Sequence, residues 1–133
     1  LRTGLVLASF PTGIEPEGVA VSPDGRWVYV TGESSSTVSI LDTKAQKIVN
    51  HLLTGARPRA VAFSPDGSRA LVTAELGRSV SIIDPARQAI TGVIRLGGNA
   101  KPVGIAFLPD GDRAFVATGR GNSVVLVDIP GAK

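Results

Sequence analysis

Ser22-Pro23-Asp24-Gly25 recurs as Ser64-Pro65-Asp66-Gly67 and again as Leu108-Pro109-Asp110-Gly111, at offsets of 42 and 44 residues. Proline presets φ at the second position and glycine admits a left-handed φ at the fourth, so each tetrapeptide predicts a tight type I turn. The match extends to both sides of the turn. Upstream, Pro16-Glu17-Gly18-Val19-Ala20-Val21 corresponds to Pro58-Arg59-Ala60-Val61-Ala62-Phe63 and to Pro102-Val103-Gly104-Ile105-Ala106-Phe107. Downstream, the run from Trp27 to Thr31 corresponds to those from Arg69 to Thr73 and from Arg113 to Ala117. Thr37-Val38-Ser39-Ile40-Leu41-Asp42 corresponds to Ser79–Asp84 and Ser123–Asp128. The turn aspartate and the last aspartate are 18 residues apart in every copy, so no insertion falls inside the unit. Self-similarity at this period marks a repeat whose unit is one supersecondary element.

Each run is short, rich in Val, Ile, Phe and Tyr, and bounded by Gly, Pro, Asp or Ser, which predicts a strand. The first run alternates small and large residues and is apolar on both faces, which predicts burial of both. A fourth, more polar run (Lys47–Leu53, Ala89–Arg95) reads as the outer strand. No window carries helical periodicity with caps, so no helix longer than one turn is expected. The fold class is therefore all-β, built from three four-stranded antiparallel meanders the size of β-propeller blades. The blade units are 14–55, 56–97 and 98–128. The third copy stops after its third strand, and the leading run of residues 4–10 aligns with strand four.

Closed propellers need about four to eight blades. Three blades predict part of a ring closed by a second chain or by a longer parent, with two apolar blade faces left open. With blades at about 60° to one another, two chains close one six-bladed ring under a two-fold axis. Residues 4–10 of each chain then complete the last blade of the other. A seven-bladed ring within a longer parent is the rival.

Val28-Tyr29-Val30-Thr31-Gly32, with the Ser-Pro-Asp-Gly turns and Val38-Ser39-Ile40-Leu41-Asp42, resembles the YVTN family of β-propeller repeats over almost the whole chain. The tryptophan–aspartate pair of WD40 blades is absent, as is a glycine pair repeated at kelch positions. The resemblance implies a WD40-like ring in a bacterial or archaeal protein outside the cytoplasm, periplasmic or extracellular. Related propellers carry lactonases, lyases and redox-enzyme domains, so the resemblance speaks to fold more firmly than to function.

The 133 residues carry a net charge of +3. Arginines are dispersed (Arg26, Arg57, Arg69, Arg87, Arg113, Arg120) rather than striped, which argues against a nucleic-acid partner. No apolar run approaches a membrane span. His51 is the one histidine, and Cys and Met are absent, so neither a metal site nor haem ligation is expected and no cofactor is assigned. Asp42, Asp84 and Asp128, like Asp24, Asp66 and Asp110, recur in each copy and read as turn-capping devices. Ser34-Ser35-Ser36 lacks a nucleophile elbow, and Gly119-Arg120-Gly121-Asn122 joins two strands rather than opening a helix. No catalytic residue is assigned.

Function needs asymmetry, and the copies differ in two loop families. One precedes the first strand (Glu15-Pro16-Glu17, Arg57-Pro58-Arg59, Lys101-Pro102-Val103), and the other joins strands two and three. In an up-and-down meander these share one rim, nearest the axis. The candidate ligand-binding residues are Glu17, Arg59, Lys101, Glu33, Glu75, Arg78 and Arg120, where charge reversal is expected to alter stability by no more than about 0.5 kcal/mol. Lys44 and Arg87 mark the opposite rim. The expected role is a non-catalytic recognition or scaffold module for a protein or small polar ligand. The alternative is a lactonase- or lyase-like enzyme, or a redox-enzyme subunit, with an axial site.

Overall fold

The computed structural model describes residues 4–130. Its first sheet has the order β1 (Pro16–Val21), β2 (Trp27–Gly32), β3 (Thr37–Asp42), β4 (Lys47–Leu53). The second is β5 (Pro58–Phe63), β6 (Ala70–Ala74), β7 (Ser79–Asp84), β8 (Ala89–Arg95), and the third is β9 (Ile105–Phe107), β10 (Arg113–Ala117), β11 (Val124–Asp128). Every pairing is antiparallel between chain neighbours. Among the described residues the one helical element is a 3-10 turn at Gly119–Gly121, closed by Asn122 in the left-handed region. It takes the place of the plain strand-to-strand loop expected there.

The repeated tetrapeptides form the expected turns. Gly25, Gly67 and Gly111 have φ of 75°, 74° and 73°. Their N–H groups donate to Ser22 O, Ser64 O and Leu108 O at 2.8, 2.9 and 2.9 Å. The Ser64 hydroxyl donates to Asp66 Oδ1 at 2.8 Å and accepts from Arg69 N–H at 3.0 Å. The backbone N–H and side chain of Ser68, then Ser64, hold the Asp66 carboxyl down at about 2. Asp24 and Asp110 are lowered by equivalent bonds, led by the Ser22 hydroxyl and the Asp112 N–H respectively. Asp42 and Asp84 cap the third-to-fourth strand turns, accepting from Lys44 N–H and Ala86 N–H at 2.9 Å each. These aspartates are occupied by turn backbone.

The core lies between blades. Tyr29, Val38 and Ile40 of the first blade meet Val61, Ala70, Val72 and Ile83 of the second. Leu71, Val80 and Ile82, on the second blade's other face, meet Ala114, Val116 and Val127 of the third. Tyr29 stacks obliquely on Phe63, with centroids 4.7 Å apart, and its buried hydroxyl is pushed up to about 12, first by burial and then by Asp84. Arg69 is buried as a staple to the third blade, donating to the carbonyls of Gly111 and Ile129.

The third blade has three strands among the described residues, and its sequence copy likewise stops after the third. Residues 4–10 form no strand within the single chain. One expectation needs correction. The first strand is not buried on both faces in every blade: Val19 is 66% exposed and Val21 58%, whereas the equivalent Val61 is 8% exposed. Among the described residues none covers this face of the first blade. The third blade mirrors this at its rear, where Phe115, Val124 and Leu126 are 44%, 62% and 50% exposed. Their equivalents Tyr29, Val38 and Ile40, and Leu71, Val80 and Ile82, are buried.

Candidate functional site: an inter-blade charge network on the axial rim

The rim is positioned by local backbone geometry. Glu15 and Arg57, just before the first strands, take left-handed φ of 56° and 59°. Their carbonyls accept from Glu33 N–H and Glu75 N–H at 3.0 and 2.9 Å, fastening the entry loop to the second-to-third strand loop of the same blade. Just below, register shifts between Pro16 and Val19 and between Pro58 and Val61 free one inner N–H in each blade. The Thr31 hydroxyl accepts from Gly18 N–H at 2.8 Å and donates to Arg59 O of the next blade at 3.1 Å. The Thr73 hydroxyl accepts from Ala60 N–H and donates to Val103 O, both at 3.0 Å. The equivalent residue of the third blade is Ala117, which has no hydroxyl.

This stitching holds adjacent entry loops in ion-pair range. Arg57 Nε lies 2.9 Å from Glu33 Oε1 and 3.2 Å from Glu75 Oε1. Arg59 reaches Glu33 at 3.0 Å, Glu17 at 3.5 Å and Glu75 at 3.6 Å. Two guanidinium groups thus bridge three carboxylates across the first two blades, with the Glu33 and Glu75 side chains only 14% and 20% exposed. Planar guanidinium forks suit such bridging. Beside the network an open depression of about 480 Å³ lies between Glu15, Ser34, Ser36 and Leu76.

The structure therefore brings together Glu17, Glu33, Glu75 and Arg59. It leaves Lys101, Arg78 and Arg120 outside the network. Among the described residues none of these three forms an ion pair; Arg78 donates to Gly98 O at 3.2 Å. The network ends at the third blade because Val103 and Gly119 stand where Arg59 and Glu75 stand in the second. Arg57 joins both glutamates, although its sequence position marks it only as an entry-loop residue. Its signal was the Arg-Pro-Arg tripeptide facing Glu-Pro-Glu one blade earlier. His51 lies exposed on β4, its Nδ1 2.9 Å from the Ser39 hydroxyl. Among the described residues no three His, Cys, Asp or Glu side chains are grouped to hold a metal ion, and no helix is long and apolar enough to cross a membrane.

No protein-family model matches the sequence, and no curated protein does. Solved structures do match. Hydrazine synthase of Kuenenia stuttgartiensis is similar over 94% of this chain and 36% of its own, at 28% identity and a TM-score of 0.80. The dihydro-heme d1 dehydrogenase NirN, solved in complex with DHE, is similar over 96% of this chain and 28% of its own, at 23% identity and a TM-score of 0.81. The Cps50 (Swd1) β-propeller domain of Myceliophteria thermophila is similar over 96% of this chain and 39% of its own, at 18% identity and a TM-score of 0.81. The chain is a partial β-propeller. It spans under two-fifths of the length of these three structures.

Proposed function

We propose that this chain is a non-catalytic recognition and scaffold module of YVTN type, acting outside the cytoplasm, in which two copies close one six-bladed ring and present an axial rim to a protein or small polar ligand. The observation that carries the reading is the contrast in burial at equivalent positions. Val38 and Val80 are buried between blades while Val124 is open, and Val61 is buried while Val19 is open. The open rear of the third blade and the open front of the first carry the two surfaces that already pair twice inside the chain. An apolar face this broad favours association. Light scattering of the chain at micromolar concentration should give twice the monomer mass; a monomer sinks the ring.

On the rim the reading places ligand contact at Lys101, Arg78 and Arg120, which form no ion pair among the described residues, and gives the Glu–Arg network a clamping role. Unneutralised cations favour an acidic ligand group. An enzymatic axial site would require a free acid–base group, whereas Glu33 and Glu75 are held by guanidinium groups. Citrate, used as a carboxylate probe, should raise the melting temperature of the chain but not of a Lys101→Glu, Arg120→Glu variant. An equal rise in both removes these residues from the site.

A further inference from the structure

The tetrapeptide turns carry the same chemical hazard in every copy. Asp24-Gly25, Asp66-Gly67 and Asp110-Gly111 each join an aspartate to a residue with no side chain to crowd its nitrogen. In such a pair the glycine nitrogen attacks the aspartate Cγ. The N–Cγ bond forms, the carboxyl OH and the amide hydrogen leave as water, and a five-membered succinimide results. Water then opens the ring. Where it breaks the bond between the glycine nitrogen and the aspartate main-chain carbonyl, the chain runs on through Cβ and Cγ as isoaspartate, with no net change in composition.

The fold opposes each step. The N–H groups of Gly25, Gly67 and Gly111 donate to the carbonyls of Ser22, Ser64 and Leu108. Each carboxylate is turned onto the N–H two residues ahead: Arg26 at 3.0 Å, Ser68 at 2.9 Å and Asp112 at 2.8 Å. Such bonds also hold all three carboxyls below the ordinary carboxylate range, so they are ionised at neutral pH and resist attack.

The three cages are unequal. Asp24 is held through Oδ1 alone, by the Ser22 hydroxyl at 2.6 Å and the Arg26 N–H. Asp66 Oδ1 has the same two donors, the Ser64 hydroxyl and the Ser68 N–H, and a third in the Ser68 hydroxyl at 2.7 Å. Arg26 occupies the place of Ser68 one copy earlier, but its guanidinium goes to Asp42, at 2.9 and 3.0 Å. Asp110 lacks the serine hydroxyl, since Leu108 stands there, and is gripped by both oxygens instead. Asp112 and Arg113 N–H groups donate to Oδ1, and Arg113 Nε and Nη2 donate to Oδ2 at 2.9 and 2.8 Å. Every one of these donors belongs to the aspartate's own turn.

We propose that these cages guard the repeat against isomerisation of its own backbone, and that Asp24, in the least complete cage, is the isoaspartate-forming site of the chain. Conversion there adds a carbon to the main chain of the β1–β2 turn, beside the bonds from Ser22 N–H to Trp27 O and from the Thr43 hydroxyl to Gly25 O, at 2.8 and 2.7 Å.

The test is to age the chain at neutral pH, folded and in urea, and to read isoaspartate at each position by electron-transfer fragmentation of its peptides. In urea the three sites should convert at similar rates, because proline precedes and glycine follows the aspartate in each. In the folded chain all three should slow, and position 24 should lead. Ser68→Ala removes one donor from Asp66 and leaves it a hydroxyl and an N–H, as at Asp24. Conversion at 66 should then rise about fivefold or more, the factor that one hydrogen bond supplies, while 24 and 110 stay unchanged. Circular dichroism checks that the variant retains its sheet. Folded rates equal to those in urea overturn the guarding role. Conversion at 66 or 110 that matches 24 in the folded parent chain overturns the assignment to Asp24. An unchanged rate at 66 in folded Ser68→Ala overturns the cage as the cause.

Discussion

Gly18 lies where the inner strands of two blades nearly touch. A Cβ at this position would come within 2.4 Å of Arg59 O and 3.1 Å of Ala60 Cα, both backbone atoms that cannot rotate aside. Gly18→Ala should cost about 1–3 kcal/mol in urea unfolding, as overpacking does. Gly104→Ala is the control, since among the described residues its Cβ would meet only Ala117 Cβ, at 3.7 Å. The turn aspartates carry a different signature. The Asp66 carboxyl is lowered to about 2 by its turn bonds. A depressed carboxylate contributes stability that is full above its unfolded value, about 4, and is lost as pH falls through the folded one. Asp66→Asn should therefore flatten the dependence of melting temperature on pH between about 4 and about 2. The role of these aspartates was legible because a catalytic group occurs once and a turn device occurs in every repeat. The duty of Thr31 and Thr73 was not legible: a period of two tells which face a hydroxyl occupies, not that a neighbouring carbonyl is 3.1 or 3.0 Å away.

Strands and turns could be read from the sequence because each is dictated locally, by alternation and by Pro-Asp-Gly chemistry. The rim could be located but not resolved. Seven charged positions shared one end of the meander, yet only contact between blades separates those that pair from those that do not. Arg57 pairs with Glu33 and Glu75 and Arg59 with Glu17, Glu33 and Glu75, while Lys101, Arg78 and Arg120 form no ion pair among the described residues. The uniform tolerance to charge reversal expected from sequence is therefore replaced by a split. Arg59→Glu sets a fourth carboxylate among three and should cost about 1 kcal/mol or more, because these groups are partly screened from water. Arg120→Glu should stay within about 0.5 kcal/mol. Chemical denaturation of both variants side by side checks the split.

At the scale of the whole molecule the repeat count was legible and the assembly was not, since the exposed Val19, Phe115, Val124 and Leu126 have the same residue character as buried positions elsewhere. If two copies share one ring, folding and association are linked, and the melting temperature should rise with protein concentration. A melting temperature independent of concentration over two decades would speak for a self-sufficient half-ring. The threonine stitching then gives such a ring joints of two kinds. Within a chain, the Thr31 and Thr73 hydroxyls tie each blade to the next; at Ala117 there is no hydroxyl to tie with. Ala60 N–H is bonded to Thr73, whereas Gly104 N–H has no acceptor among the described residues. Deuterium should enter at Gly104 sooner than at Ala60, and the ring should breathe at the boundary between copies, opening like a clasp while each half stays folded.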